Sequence, residues 1–348
     1  MRLEIHEGVG PVAGDWDALV AHGDPPSPFL WSWWLDHTTA GEPVTLTLLD
    51  DDGLIGGLAL QRDRIAGVER LRLAGSGVLE PDHLDVVARP GRGPDVAGEV
   101  AAWMAAGDRI VDLDGVAEAS PLRRAFGRRA TVRPGSLAPY ATLPATAEQY
   151  LAGRRGSTRS TVSRTRKRLE KAGVRHTVVD AASSDVARAD ALAALARLHD
   201  GRWGENSTLL DRWPALEAAL AVGLAAGGVV LHQLVHPEAG VIALEVDLLA
   251  GGRTCFYQAG RLTDHDWRGS GSVLKAAVIS HAIESGHTEY DLLRGDEPYK
   301  AEWATSRRPL FRVTAGYGPR GRAAHAASEA NRRLQRWRVR RIDARLSE

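Results

Sequence analysis

The sequence predicts a mixed α/β (α+β) fold, a sheet flanked by helices, laid out in two halves. Three observations carry this reading. Apolar runs of strand length alternate with stretches of helical periodicity along the whole chain. From residue 229 onward the elements read in the order β-β-β-α-β. The length of 348 residues suits two modest domains of about 100–200 residues each, or one core plus additions. With 44% hydrophobic and 25% charged residues the composition is that of an ordinary folded chain, which argues against disorder or a fibre.

In chain order, Pro25-Pro26-Ser27-Pro28 stiffens a loop that delivers Phe29, Trp31, Trp33 and Trp34 into a short helix, an aromatic set suited to core or interdomain packing. Val44 to Leu49 and Leu54 to Gln61 are apolar runs joined by Asp50-Asp51-Asp52-Gly53, a turn sequence that predicts a hairpin. Leu84 to Ala88 and Arg109 to Leu113 read as further strands around a helix over Val96 to Ala106. A basic helix then follows, with Arg154, Arg155, Arg159, Arg164, Arg166, Lys167, Arg168, Lys171 and Arg175 against the single acidic Glu170. Ser157 and Thr158 are candidate caps for it and Gly173 a candidate stop. Such a helix is either a solvated face or an attractor for a phosphate-rich ligand, a nucleotide or RNA.

Helices are expected over Ala187 to Trp203 and Trp213 to Leu224. A meander of Val229 to Val235, Val241 to Leu249 and Thr254 to Ala259 comes next, then a loop, an almost wholly apolar helix from Ser272 to Ser285, and a strand from Glu289 to Leu293. From Arg320 an Ala- and Arg-rich tail spaces Leu334, Trp337, Val339 and Ile342 along one helical face. The domains expected are 1–145, 146–318 and a basic C-terminal helix over 319–348.

Several function classes lose support at this level. Lys plus Arg equals Asp plus Glu at 44 each, so no global field favours nucleic acid or anionic membrane. The lone Cys255 sits in an apolar run and reads as a core thiol. One cysteine excludes an internal disulfide and any multi-thiolate zinc site, which suits a reducing compartment. Histidines are scattered without metal-ligand spacing, so no metal is expected. No stretch approaches a membrane span and the N-terminus lacks a signal-peptide pattern; the expected location is the cytoplasm.

The loop Asp266-Trp267-Arg268-Gly269-Ser270-Gly271-Ser272 leads into the apolar helix. Its glycines let backbone N–H groups approach a ligand, and the helix dipole favours an anion there, so Arg268 through Ser272 form a candidate pyrophosphate site. The loop lacks the lysine of a P-loop and the third glycine of the dinucleotide fingerprint, where Leu274 stands, which disfavours ATP hydrolysis and NAD chemistry.

The β-β-β-α-β order with this turn before the helix resembles the core of the GNAT acetyltransferase superfamily. Arg268 and Gly271 match the first and fourth positions of its Q/R-x-x-G-x-G/A signature, while Val273 stands where the last small residue is expected. Asp291-Leu292-Leu293-Arg294-Gly295-Asp296-Glu297-Pro298-Tyr299-Lys300, followed by Glu302 and Trp303, resembles the signature of a bacterial GNAT branch described as cellulose-biosynthesis-type acetyltransferases. That branch is similar in architecture to the Fem peptidyltransferases. Leu198-His199 with Arg202-Trp203, the glycine loop and the signature come in the order of that branch, over residues 145 to 315.

The resemblance implies two GNAT-like halves in tandem, acyl-CoA (acetyl-CoA or another) as co-substrate, and transfer of its acyl group to a small amine or amino sugar without metal or covalent intermediate. It places the thioester and pantetheine against strand residues Phe256 to Ala259, Gln258 among them, and substrate near His199, Arg202, Trp203, Asp291 and Arg294. A carboxylate is the expected base, Asp296 of the signature or either of Glu245 and Asp247, which share one face of their strand and could equally be a solvent-facing pair. Tyr299 or Tyr257 is the expected acid, with Lys300 orienting the carboxylate or an anionic substrate group. The charges of the signature can equally satisfy one another in a structural network. Two other functions fit: a Fem-like transferase using aminoacyl-tRNA, the one route by which nucleic acid would be a partner, and a non-catalytic GNAT-fold binding module.

Overall fold

The computed structural model describes residues 1–23, 26–77, 79–204, 209–295 and 297–346, with the side chains of these apart from 202, 203 and 333–346. The first half runs β1 (Arg2–His6), α1 (Ala13–Val20), α2 (Ser32–Thr38), β2 (Glu42–Asp50), β3 (Gly53–Ile65), β4 (Val68–Leu73), β5 (Val87–Ala88), α3 (Gly93–Ala105), β6 (Arg109–Ala117), α4 (Pro121–Ala125) and β7 (Thr131–Thr142). Two linking helices follow, α5 (Ala147–Ala152) and the basic α6 (Gly156–Lys171). The second half repeats the order: β8 (Arg175–Val179), α7 (Asp185–Trp203), α8 (Trp213–Ala225), β9 (Val229–His236), β10 (Gly240–Ala250), β11 (Arg253–Arg261), α9 (Ser270–Glu284), β12 (Glu289–Asp291), α10 (Lys300–Trp303) and β13 (Ser306–Tyr317), closed by α11 (Gly318–Leu346).

Among the described residues, all thirteen strands join one mixed sheet in the order β1-β2-β3-β4-β6-β13-β7-β12-β11-β10-β9-β8, with β5 paired to β3 beside that path. The two halves meet by exchange. Each contributes its last strand to the other, β7 pairing with β12 and β13 with β6, while β7 and β13 pair with each other. The strands on either side of residue 145 therefore belong to one continuous sheet.

The hairpin of β2 and β3 and the meander of β9, β10 and β11 stand where the apolar runs predict them. Gly173 ends α6 in the left-handed region at φ +82°, as a stop glycine should, whereas neither Ser157 nor Thr158 caps its start. The strand expected over Leu84–Ala88 shrinks to Val87–Ala88 and one bridge from Leu84 to Val116. Its first part instead continues a loop in which buried Asp82 pairs with Arg294 and buried His83 sits against Asp291. The strand expected to reach Leu293 stops at Asp291 because Leu293 turns left-handed at φ +56°. The C-terminal helix forms; Leu334, Trp337, Val339 and Ile342 lie outside the described side chains.

The aromatic set is core. Phe29 and Trp34 meet edge to face at 5.1 Å, Trp34 meets Tyr257 of β11 at 5.2 Å, and all three are buried, which ties the first half to the second. Trp33 packs on α8 where a Cβ at Gly223 would come within 2.8 Å of its ring, so only glycine fits there. A second buried cluster, with Val162, Leu169, Ile279, Tyr290 and Trp303, lies between α6, α9 and the sheet. Cys255 is buried and unpaired with another cysteine. Among the described residues no helix is long and apolar enough to cross a membrane, and no group of His, Cys, Asp and Glu is arranged to hold a metal ion.

Candidate functional site

Strands β11 and β12 pair in parallel only from Arg253 to Cys255, against Glu289 to Asp291. Beyond that point β12 gives way to the turn Leu292 to Tyr299, and β11 runs on with one edge unpaired. The register between β10 and β11 also shifts, leaving Tyr257 as an extra residue between Phe256 and Gln258, a bulge that bends the strand. The two effects open a cleft of about 1180 Å³. Phe256 to Arg261 line one side of it, the turn and α10 another, α6 and the start of α9 a third, and Leu79 and Glu80 of the first half close it.

At one end stands the glycine loop. Helix α9 starts at Ser270, two residues earlier than its apolar run suggests, and no side chain caps its N-terminus. Gly269 takes φ +83°, and a Cβ there would lie 3.0 Å from Oγ1 of Thr165, so the loop can press onto α6 only with glycine at this position. Arg168 of α6 donates to the carbonyls of Asp266 and Arg268, which fixes the loop. Arg268, Gly269, Gly271 and Ser272 line the cleft; Ser270 is buried beneath. Backbone N–H groups, the helix dipole, Arg261 and exposed Arg268 converge as an anion would require.

Midway along the cleft Glu245 and Asp247 meet two buried residues not predicted for the site, Lys275 and Tyr290. Lys275 projects from α9 and donates to Oε1 of Glu245 at 2.7 Å and to the Tyr290 hydroxyl at 2.8 Å. Its ammonium also sits 3.3 Å from the centre of the Phe256 ring. Tyr290 donates to Glu245 and lies 3.2 Å from Asp247. Burial pushes the Lys275 ammonium down and the Asp247 carboxyl well up, the latter reinforced by the neighbouring Glu245. A lone lysine within an apolar helical run was the available signal, since a buried lysine needs a carboxylate.

The signature turn does something different from what its composition suggests. Asp291 does not reach the cleft. It is fully buried, its Oδ2 2.9 Å from Nε2 of His83, with Arg253 and Arg308 nearby. Burial would raise its pKa, but the facing His83, Arg253 and Arg308 outweigh that and hold it at about 2. Arg294 borders the cleft, but its guanidinium is taken up by Asp82, by Asp114 at 2.9 Å and by the Pro81 carbonyl at 2.8 Å. These two residues expected to contact substrate thus dock the first half onto the second. Buried Lys300 folds back on the turn, 3.1 Å from Glu297 and bonded to the Arg294 carbonyl.

Tyr299 lines the cleft, 42% exposed, edge-on to Phe256 at 6.4 Å. Tyr257 is buried, its hydroxyl 3.4 Å from the Leu79 carbonyl. Burial, with Glu80 nearby, pushes its phenol so far up that it would yield a proton to a thiolate reluctantly. His199 is buried in α7 and does not line the cleft; its neighbour Leu198 packs against Gly260. Asp296 and the side chains of Arg202 and Trp203 lie outside the described residues.

Comparison with known proteins bears on the fold. No curated protein matches the chain by sequence. Among solved structures the fold is similar to FemX, with a TM-score of 0.64 at 11% identity over 90% of this chain and 97% of that one. It is similar to L-PGS from Bacillus licheniformis, at 0.61 and 13% identity over 90% and 94%. A conserved protein of unknown function from Bacteroides thetaiotaomicron VPI-5482 gives 0.62 at 11% identity over 90% and 100%. At such identities the likeness is one of fold. Residues 156–301, which contain α6, the glycine loop, Lys275 and most of the signature, match the family model described as an acetyltransferase (GNAT) domain, so the chain carries a GNAT-type acetyltransferase domain in its second half.

Proposed function

We propose that this protein is an acyl-CoA-dependent N-acyltransferase that transfers the acyl group of acetyl-CoA or another acyl-CoA to a small amine or amino sugar. The observation that carries the reading is the meeting, in one cleft, of the unpaired edge of β11 with the uncapped N-terminus of α9. The first offers backbone N–H and C=O groups to an extended amide-bearing arm, the second a seat for its phosphates. A backbone N–H from the Phe256 to Gln258 bulge is placed to hold the thioester carbonyl as it gains negative charge.

Starting from the acceptor ammonium, the chemistry removes two protons from nitrogen and supplies one to sulfur. Lys275 and Tyr290 both bond Oε1 of Glu245, which leaves Oε2 to take the proton from the acceptor ammonium. The freed amine forms the new C–N bond, the C–S bond breaks, and Tyr299 gives its phenolic proton to the departing sulfur; the attacking nitrogen, cationic after bond formation, gives up its second proton, which restores the phenol. Lys275 then holds the position of Glu245. The signature remains the ground for assigning the chain to the cellulose-biosynthesis-type branch, a cytoplasmic location fits this chemistry, and no metal has a part in it.

Isothermal titration with CoA and acetyl-CoA tests the reading. Micromolar to submillimolar binding is expected, and no heat up to millimolar concentration with folded protein refutes it. If Tyr299→Phe combined with Asp296→Asn leaves turnover intact, the signature is structural and the acid lies elsewhere. A second reading, aminoacyl transfer from tRNA in the manner of Fem enzymes, is favoured by the exposed cations Arg155, Arg159, Arg164, Lys167 and Lys171 along α6 beside the cleft. Under it, charge reversal at Arg164, Arg166 and Arg168 must weaken tRNA binding, and the salt slope must fall with it.

A further inference from the structure

Among the described residues, the first half of the chain reaches the cleft through Leu79 and Glu80, and the way the segment from Leu79 to His83 is held is out of proportion to a connector. His83 is 1% exposed and pairs with Asp291 at 2.9 Å; Asp82 is fully buried and takes both the Arg294 guanidinium and its backbone N–H. Arg294 also holds the Pro81 carbonyl at 2.8 Å, and the Tyr257 hydroxyl faces the Leu79 carbonyl. Between these anchors Glu80 and His83 both take left-handed backbone, φ +43° and +55°. A non-glycine residue adopts that conformation only where its surroundings impose it.

What the anchors present is the Glu80 side chain. It is exposed, it lines the cleft, and it pairs with no cation among the described residues. Of the other acidic groups of the wall, Glu245 is engaged by Lys275 and Glu297 by Lys300, while exposed Glu302 lies on α10, outside the first half. Glu80 also lies at the opposite end from the anion seat. It neighbours Tyr257, whereas Arg261 borders the glycine loop, and four residues of strand separate them by about 13 Å. The cleft is therefore polarised, cationic where the carrier phosphates would sit and anionic where the first half closes it.

We infer that Glu80 is a specificity-determining residue that receives the ammonium of a cationic acceptor, and that Asp82, His83, Asp291 and Arg294 are positioning residues that fix it there. The inference rests on the acyltransferase reading above and adds to it the acceptor's charge and the half of the chain that selects it. The acceptor is drawn in as a cation, and Glu245 removes its proton only once it lies beside the thioester.

The test uses the full chain with acetyl-CoA and three acceptor probes, glucosamine, tyramine and spermidine. Acetyl-CoA affinity is measured first for the wild type, Glu80→Gln and Glu80→Lys. Loss of binding in the wild type itself overturns the acyl-CoA reading, not this one. With carrier binding unchanged in both variants, Glu80→Gln should raise the KM of the best acceptor at least tenfold and leave kcat within threefold. Glu80→Lys should raise KM further, by an amount that shrinks in high salt. An unchanged KM in Glu80→Gln overturns the inference. So does a fall in kcat with a displaced pH profile, which would make Glu80 the base, or failure of all three amines to be turned over by protein that binds acetyl-CoA.

Discussion

Replacing His232 with glutamine is expected to remove about 2 kcal/mol of acid sensitivity from folding. His232 is 1% exposed on β9. His176 of β8 stacks on it at 5.3 Å, His281 of α9 meets it edge-on at 4.9 Å, and the Lys275 ammonium adds its field. Burial first, then these neighbours, push its pKa down to about 2. The unfolded chain takes up this proton near pH 6.5 and the folded one only near pH 2. Between those values the unfolded state binds more protons, so stability falls as pH falls, by about 1.4 kcal/mol per unit. From pH 7 to pH 5 that amounts to about 2 kcal/mol. Asp85, raised by burial to about 6, and Asp247, raised by burial, work in the opposite direction over this range, because the folded state holds their protons. The wild-type curve alone is therefore not diagnostic, and the difference between wild type and variant is. Urea unfolding followed by tryptophan fluorescence at pH 5, 6 and 7 gives it. If the two proteins lose the same stability between pH 7 and pH 5, to within about 0.5 kcal/mol, the linkage argument fails.

Four further outcomes follow from the site. Lys275→Met leaves Glu245 and Asp247 buried without their cation and should cost about 3–5 kcal/mol, read by chemical denaturation; adding Glu245→Gln should recover part of that loss. Arg294→Met strands buried Asp82 and should cost a similar amount, about 3–5 kcal/mol, while leaving the residues of the anion seat untouched. Gly269→Ala meets both a left-handed backbone and Thr165, and should weaken CoA binding roughly tenfold, about 1.4 kcal/mol, by calorimetry. Arg268→Ala should also weaken CoA binding and flatten its salt dependence, whereas Arg268→Lys should keep most of both.

Much of the second half was legible in advance because its segments are locally consistent. The meander, the glycine loop and the apolar helix each carry their own pattern and turn residues, and the structure puts them in the expected order. The exchanged strands β7 and β13 were not legible. Pro134, Pro139 and Pro309 interrupt them, and proline suppresses the strand signal that their partners supply in three dimensions. Lys275 was visible as a residue but not as a site, because its partners Glu245 and Tyr290 are 30 and 15 residues away.

The sequence by itself determined the mixed α/β class, the β-β-β-α-β order of the second half from residue 229, a glycine-rich turn before the apolar helix and a charged signature. All of these are local in the chain, set by periodicity, turn residues and spacing. Only the tertiary structure decided what the signature's charges do. Asp291 and Arg294 face His83 and Asp82 from a different half of the chain, so they pair across the junction and hold the loop of Glu80 against the cleft. Charge can be counted along a sequence, but whether a carboxylate is free to meet a ligand depends on which cations the fold brings within about 4 Å of it.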